Sequence, residues 1–290
     1  MTNQRGLGWL PDVPKLKDYD PHHSEVFPIL EESSPSLTAE LERLALGEEP
    51  GPLPANVDLR KWFSPIDKQG ALNCCTAHTT VALVEYFERR GTGKHVDAST
   101  LFVYKTSRNL LGLTGDSGAH LRTAMGALVL FGAPPEKYWP YAVEKFDVEP
   151  TPFVYAFGQN YKAVKYFRLD PGVTSVTQIL HSVKLFAAYG FPSMFGFPVF
   201  EEYQALAPGN LILLPTPNSM YSGGHANVVA GYDNDLVIGG EPGALLVRNS
   251  FGEDWGDHGY AWMPYAYITR GLTADWWTMT SLDWVNLEAF

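Results

Sequence analysis

Few side chains in this sequence combine reactivity with surroundings suited to covalent chemistry, and the cysteines come first. Cys74 and Cys75 are adjacent, and the chain holds no others. Neighbouring cysteines bridge only under heavy strain, so neither is a structural staple, and each is packing or chemistry. Cys75 opens a run without Gly or Pro that extends to Arg90, with Ala77, Val81 and Val84 on one stripe. That pattern predicts a helix over Cys74 to Arg90, with Asn73 as a competent N-cap. A thiol in the first turn faces unpaired backbone N–H groups, which favour the thiolate. Cys74 reads as inert packing.

A thiolate needs an imidazole partner. Of the eight histidines, His22, His23, His95, His120, His181 and His258 stand in polar or turn-like settings that suit the surface. His78 shares the helix of Cys75 and reads as a helix-surface or lobe-interface residue. His225 is more suggestive, because it begins the apolar strand Ala226-Asn227-Val228-Val229 directly after Gly223-Gly224. Glycines there leave room for a ligand backbone. Asn249 ends a second apolar strand, flanked by the aromatics Phe251 and Trp255. Its side-chain carbonyl can accept one imidazole N–H and fix which ring nitrogen faces the sulfur. His225 lies 150 residues beyond Cys75, and Asn249 a further 24.

Competing chemistries fit less well. Cys74, Cys75 and His78 make a poor tetrahedral metal set, since adjacent cysteines crowd it and a fourth ligand is not evident. Gly239 to Gly243 lacks the lysine and the strand-to-helix setting of a phosphate loop, and predicts a hairpin turn. No metal and no cofactor is expected.

The elements that must position these residues follow from periodicity and punctuation. Residues 1–54 form an arm with extended-looking Val26 to Leu30, then a short helix capped by Ser34, opened by Pro35 and ended by Gly47. Glu48 to Pro54 reads as a linker. Helices are expected over Leu121 to Phe131 and Val176 to Tyr189. Short strands are expected over Asn160 to Arg168, Phe191 to Pro198, His225 to Tyr232, Leu245 to Asn249 and Tyr260 to Pro264. Helices first and strands later predict an α+β fold.

The 290 residues, 45% of them hydrophobic, suffice for a substantial core and exclude a disordered chain. The net charge of −11 and the lack of a basic stripe argue against nucleic acid as a partner. No apolar run is long enough to cross a bilayer, and the first residues lack a secretory h-region, so a cytoplasmic protein without a membrane partner is expected.

These residues resemble the papain-like cysteine peptidases in a bacterial-looking version. Gln69-Gly70-Ala71-Leu72-Asn73-Cys74-Cys75-Thr76-Ala77 is similar to that family's Gln-Gly-x-Cys-Gly-Ser-Cys-Trp-Ala segment, with Cys75 in the reactive place. Gly224-His225-Ala226 is similar to its histidine strand, and Asn249-Ser250-Phe251-Gly252 through Trp255-Gly256 to its Asn-Ser-Trp-Gly-x-x-Trp-Gly segment. Asp116-Ser117-Gly118, followed by a helix and Trp139-Pro140-Tyr141, resembles its glycine-bearing substrate wall and Tyr-Pro-Tyr stretch. The likeness spans about residues 55 to 270, in family order.

The resemblance implies a two-lobed fold with a cleft between a helical lobe (about 64–150) and a β-barrel-like lobe (about 151–290), preceded by a short prosegment (1–54). It implies a cysteine endopeptidase acting on peptide or protein substrates. Cys75 would be its nucleophile, His225 its base and then acid, and Asn249 the imidazole orienter. Gln69, with the Cys75 N–H, would stabilise the oxyanion. Ser117, Gly118, Gly224, Phe251 and Trp255 would bind substrate. Leu72 replaces a disulfide cysteine, Asn73-Cys74 replaces Gly-Ser, and Thr76 and Phe251 replace tryptophans. The alternatives are a weak or inactive peptide-binding protein and an acyl transferase. The arm is expected to act in cis as an inhibitor, with Val26 to Leu30 or nearby residues along the cleft.

Overall fold

The computed structural model describes residues 5–163, 165–172, 174–280 and 282–284. The arm carries two helices, α1 (Phe27–Ser33) and α2 (Pro35–Ala45), each with proline in its first turn, where a missing N–H costs nothing. Val26 to Leu30 is thus largely helical rather than extended. Pro28 is tolerated at the second helical position, and the one-turn spacing of Val26 and Leu30 buries both on a single face.

A short strand, β1 (Asn56–Asp58), leads into three mutually packed helices: α3 (Cys75–Thr92), α4 (Thr100–Leu111) and α5 (Leu121–Phe131). The cap of α3 is Cys74 rather than Asn73, whose side chain is engaged elsewhere. In α4 the polar side chains are buried along with the apolar ones, since Thr100 to Arg108 are all inside, so the sequence offers no solvent-facing side to read. Its Ser99 cap accepts the Phe102 N–H, and buried Arg108 pairs with Asp147 at 2.8 Å.

Next come α6 (Pro152–Gly158), β2 (Tyr161–Ala163), β3 (Tyr166–Arg168) and α7 (Val176–Ala188), the last opened by a Ser175–Gln178 capping box. The chain then forms β4 (Ser193–Phe200), α8 (Glu201–Gln204), the long β5 (Tyr221–Ile238), β6 (Glu241–Arg248), β7 (Tyr260–Pro264), α9 (Ala266–Thr269), β8 (Ala274–Met279) and β9 (Leu282–Trp284). The main sheet is antiparallel in the order β3-β8-β4-β5-β6-β7, with β1 also on β5, while β2 pairs with β9. The expected hairpin turn at Gly239-Gly240 joins β5 to β6. The fold is α+β and papain-like, but the sheet is open rather than barrel-like, because its outer strands β3 and β7 do not pair with each other. The core stacks Phe195 on Trp276 with ring centroids 4.3 Å apart. The first turn of α3 meets β5, and the site lies at that junction.

Candidate active site

Cys75, first residue of α3, is wholly buried with its sulfur within reach of the backbone N–H groups of Gly8, Ala226 and Thr76. Ala226 follows His225 on β5, so the sulfur lies against the histidine strand. Burial pushes the Cys75 thiol up to about 12, assisted by neighbouring Cys74, and the N–H groups recover part of the loss. This is opposite to the lowered thiol expected of a helix N-terminus. The difference has a visible cause: one of those N–H groups belongs to the arm, which keeps water off the sulfur.

His225 Nε2 lies 2.8 Å from Asn249 Oδ1, which also accepts the Ser250 N–H at 2.8 Å. An acceptor held in this way selects the tautomer with the proton on Nε2. Nδ1 is then the basic nitrogen, and it is buried without a hydrogen-bond partner. Phe251 stacks on the imidazole at 4.6 Å. Burial lowers the His225 pKa to about 4, against the stabilising bond to Asn249.

Gln69 completes this corner. Its Oε1 accepts the Ser250 hydroxyl at 2.6 Å, and its Nε2 donates to Leu72 O at 2.8 Å and to Gly6 O at 3.0 Å. Tyr141 Oη donates to the Gln69 backbone carbonyl at 2.8 Å.

The arm residues beside these groups are 5–10, not Val26 to Leu30. Gly6 N–H donates to Gly70 O at 3.0 Å, and Leu7 N–H to Asn73 Oδ1 at 2.9 Å. Trp9 N–H reaches Gly224 O at 3.1 Å, while Gly8 O and Leu10 N pair with the backbone of Ala119 at 3.0 Å each. A Cβ on Gly6 or Gly8 would overlap the carbonyl of Leu72 or Asn73, so only glycine lets the arm lie this close. Asn73, the bulkier replacement in this loop, serves the arm directly.

The anticipated substrate residues divide. Gly224 faces the arm, and a Cβ on Gly118 would overlap Gly8 O. Strand-like pairing falls on Ala119 instead, because Tyr104 Oη already accepts the Gly118 N–H at 3.1 Å. The Ser117 hydroxyl turns to Gly118 O. Phe251 lies between the histidine and the Arg5 guanidinium, 4.9 Å from its ring. Trp255 packs on Tyr203 at 5.1 Å, a support behind the histidine rather than a cleft wall.

His78 is buried, not superficial. Its Nδ1 lies 3.4 Å from Asp67, and although burial opposes its charge, Cys74 and Asp67 lift its pKa to about 10. Cys74 contacts Tyr141 Oη at 3.2 Å, so the two sulfurs face different neighbours. Sequence reasoning missed Ala119, Tyr141, the buttressing role of Ser250, and Asp116, which accepts the Asn73 N–H at 2.9 Å. Ser250, Asp116 and Tyr141 lie inside quoted motifs, which gave the signal; Ala119 had none.

Glu85, His95 and Asp97 bring ligand-type atoms within 4.8 Å of one another. Burial pushes the Glu85 carboxyl up to about 8, and it already accepts the Ala98 N–H, so this is a poor cation cage. Among the described residues, no helix is long and apolar enough to cross a membrane.

The pattern of the papain family of cysteine proteases matches residues 53–273. A peptidase C1-like protein of Acanthamoeba polyphaga mimivirus is 32% identical over 228 residues, covering 76% of this chain and 71% of its own. Xylellain, a cysteine protease from Xylella fastidiosa, superposes with a TM-score of 0.74 at 27% identity, over 96% of this chain and 97% of its own. Digestive procathepsin L 3 of Tenebrio molitor shares the fold, with a TM-score of 0.62 at 19% identity over 79% of this chain and 71% of its own. Matched in pattern along most of its length and in shape over nearly all of it, the chain belongs to the papain family and is a cysteine peptidase.

Proposed function

We propose that the protein is an endopeptidase working through Cys75, His225 and Asn249, and that residues 5–10 hold it closed. The observation that carries the reading is the bare, buried His225 Nδ1, left basic by the Nε2–Asn249 bond on the strand that touches the Cys75 sulfur. The thiol proton passes to Nδ1 and the sulfur attacks the peptide carbonyl. Gln69 Nε2 and the Cys75 N–H bind the developing oxyanion. The imidazolium gives its proton to the leaving amine, forming a thioester. Water, deprotonated by Nδ1, then releases the acid and restores the thiol.

The arm contributes a carbonyl to Gln69 and an N–H to the sulfur, using the groups a substrate would need. The test is covalent labelling by a thiol-reactive epoxide together with peptide cleavage read by mass spectrometry. Cys75→Ala should abolish both; hydrolysis retained in that variant rejects the reading. Added amine captured into the product would instead indicate acyl transfer, and peptide bound but never cut would indicate a binding protein.

A further inference from the structure

Trp9, the arm residue next to the one touching the sulfur, fills a side pocket of the cleft and is 7% exposed. Its indole lies over Gly196 of β4, where a Cβ would overlap Cε2, and over Gly224 of β5, where a Cβ would come 3.0 Å from Cε3. At the far end, indole Nε1 donates to Asp275 Oδ2 at 3.1 Å. Asp275 is wholly buried and has φ 64°, a left-handed backbone that non-glycine residues rarely adopt. Its other oxygen accepts Trp277 Nε1 at 2.8 Å and pairs with Arg168 Nη1 at 3.3 Å. Among the described residues, no other hydrogen bond ends on Oδ2. Without Trp9 the pocket exposes two side-chain-free walls and one unsatisfied carboxylate oxygen.

Building on the peptidase reading, we infer that Asp275, Gly196 and Gly224 make this pocket selective for tryptophan in peptide substrates, beside the residue that meets Cys75. The glycines leave a flat slot suited to a ring. The carboxylate asks for a donor at the ring's far edge, which phenylalanine and leucine lack. A cation would meet the Arg168 guanidinium, shared with Asp170, whose Nη1 lies 3.3 Å from the Asp275 carboxylate and which stands over the Trp277 ring at 4.6 Å. Leaving a buried carboxylate oxygen without its donor is costly, which is where the discrimination arises.

The test uses the full chain carrying Cys75→Ala and Trp9→Ala, which empties the pocket and stops turnover. Blocked tripeptides with Trp, 1-methyl-Trp, Phe or Arg in the middle are titrated calorimetrically. The Trp peptide should bind about tenfold tighter than its 1-methyl analogue and the Phe peptide. Adding Asp275→Ala should erase that margin; if this variant does not fold, the 1-methyl comparison decides alone. Equal binding of Trp and 1-methyl-Trp, or tightest binding of Arg, overturns the inference. Epoxide-tipped versions are then applied to the Trp9→Ala chain with Cys75 intact. Tight Trp binding without labelling there strikes the peptidase reading and leaves the pocket assignment standing.

Discussion

The two ends of the arm are held by different physics. Residues 5–10 lie in the cleft through backbone hydrogen bonds and one large side chain, Trp9. Residues 26–41 instead bury Val26, Leu30, Leu37 and Leu41 against the core. Between them, Asp18 bonds Arg122 at 2.7 Å and lies 3.5 Å from Arg168. Each hydrogen bond of the first kind nets about 1 kcal/mol, because water supplies substitutes when it breaks. A buried leucine gives roughly 2 kcal/mol and has no substitute in water. The plug's hydrogen bonds are therefore exchangeable with water, whereas the burial of Trp9 and of the anchor's leucines is not, so clearing the cleft turns on emptying the Trp9 pocket.

That contrast can be broken at either end. Leu30→Ala should cost about 3 kcal/mol in denaturant unfolding while epoxide labelling in native buffer stays unchanged. Labelling that rises in step would mean that anchor and plug are one unit. Gly8→Ala should do the reverse. Its methyl overlaps the Asn73 carbonyl, and roughly 2 kcal/mol of crowding would raise the labelling rate about 30-fold with little change in the unfolding midpoint.

Acidity gives a third, smaller handle. With the arm seated, His225 is held near 4, below its ordinary 6.5. The seated form thus resists protonation, and its advantage is complete above pH 6.5 and lost as pH falls toward 4. Between pH 7 and pH 5 the arm-free population should grow roughly twentyfold, measured as lost exchange protection of the Gly8 and Trp9 amides. Protection that increases on acidification would contradict this. Burial raises Cys75 from 9.0 to about 12, so loosening should return above pH 9. The smallest effect is expected of Asn73→Ala, which loses the acceptor for Leu7 N–H: about 1 kcal/mol, or fivefold in labelling.

The reactive corner was legible because its residues carry local signatures: a thiol opening a Gly- and Pro-free run, and glycines before an apolar histidine strand. Residues 121–131, capped by Gly132, and the hairpin at Gly239-Gly240 were readable for the same reason. What sequence hid was all-round burial and long-range pairing. Residues 100–108 are buried on every face, Lys105 and Arg108 included, so their polar types do not mark a solvent side. Asp275 and Trp9 stand 266 positions apart, and no local pattern joins them. The arm's route was misjudged for a related reason. Val26 to Leu30 is apolar enough to suit a groove, yet its one-turn spacing suits a helix on the core better, and glycines at 6 and 8 were the unread sign of close backbone approach.

The arm's polarity has one more consequence. The N–H on the sulfur belongs to Gly8, but the carbonyl on Gln69 belongs to Gly6, in the neighbouring peptide unit. Scission requires one amide to present its carbon to the thiol and its oxygen to the oxyanion donor together. The guest strand divides these duties between two neighbouring bonds, so neither is presented to thiol and oxyanion donor at once while the arm rests as it does.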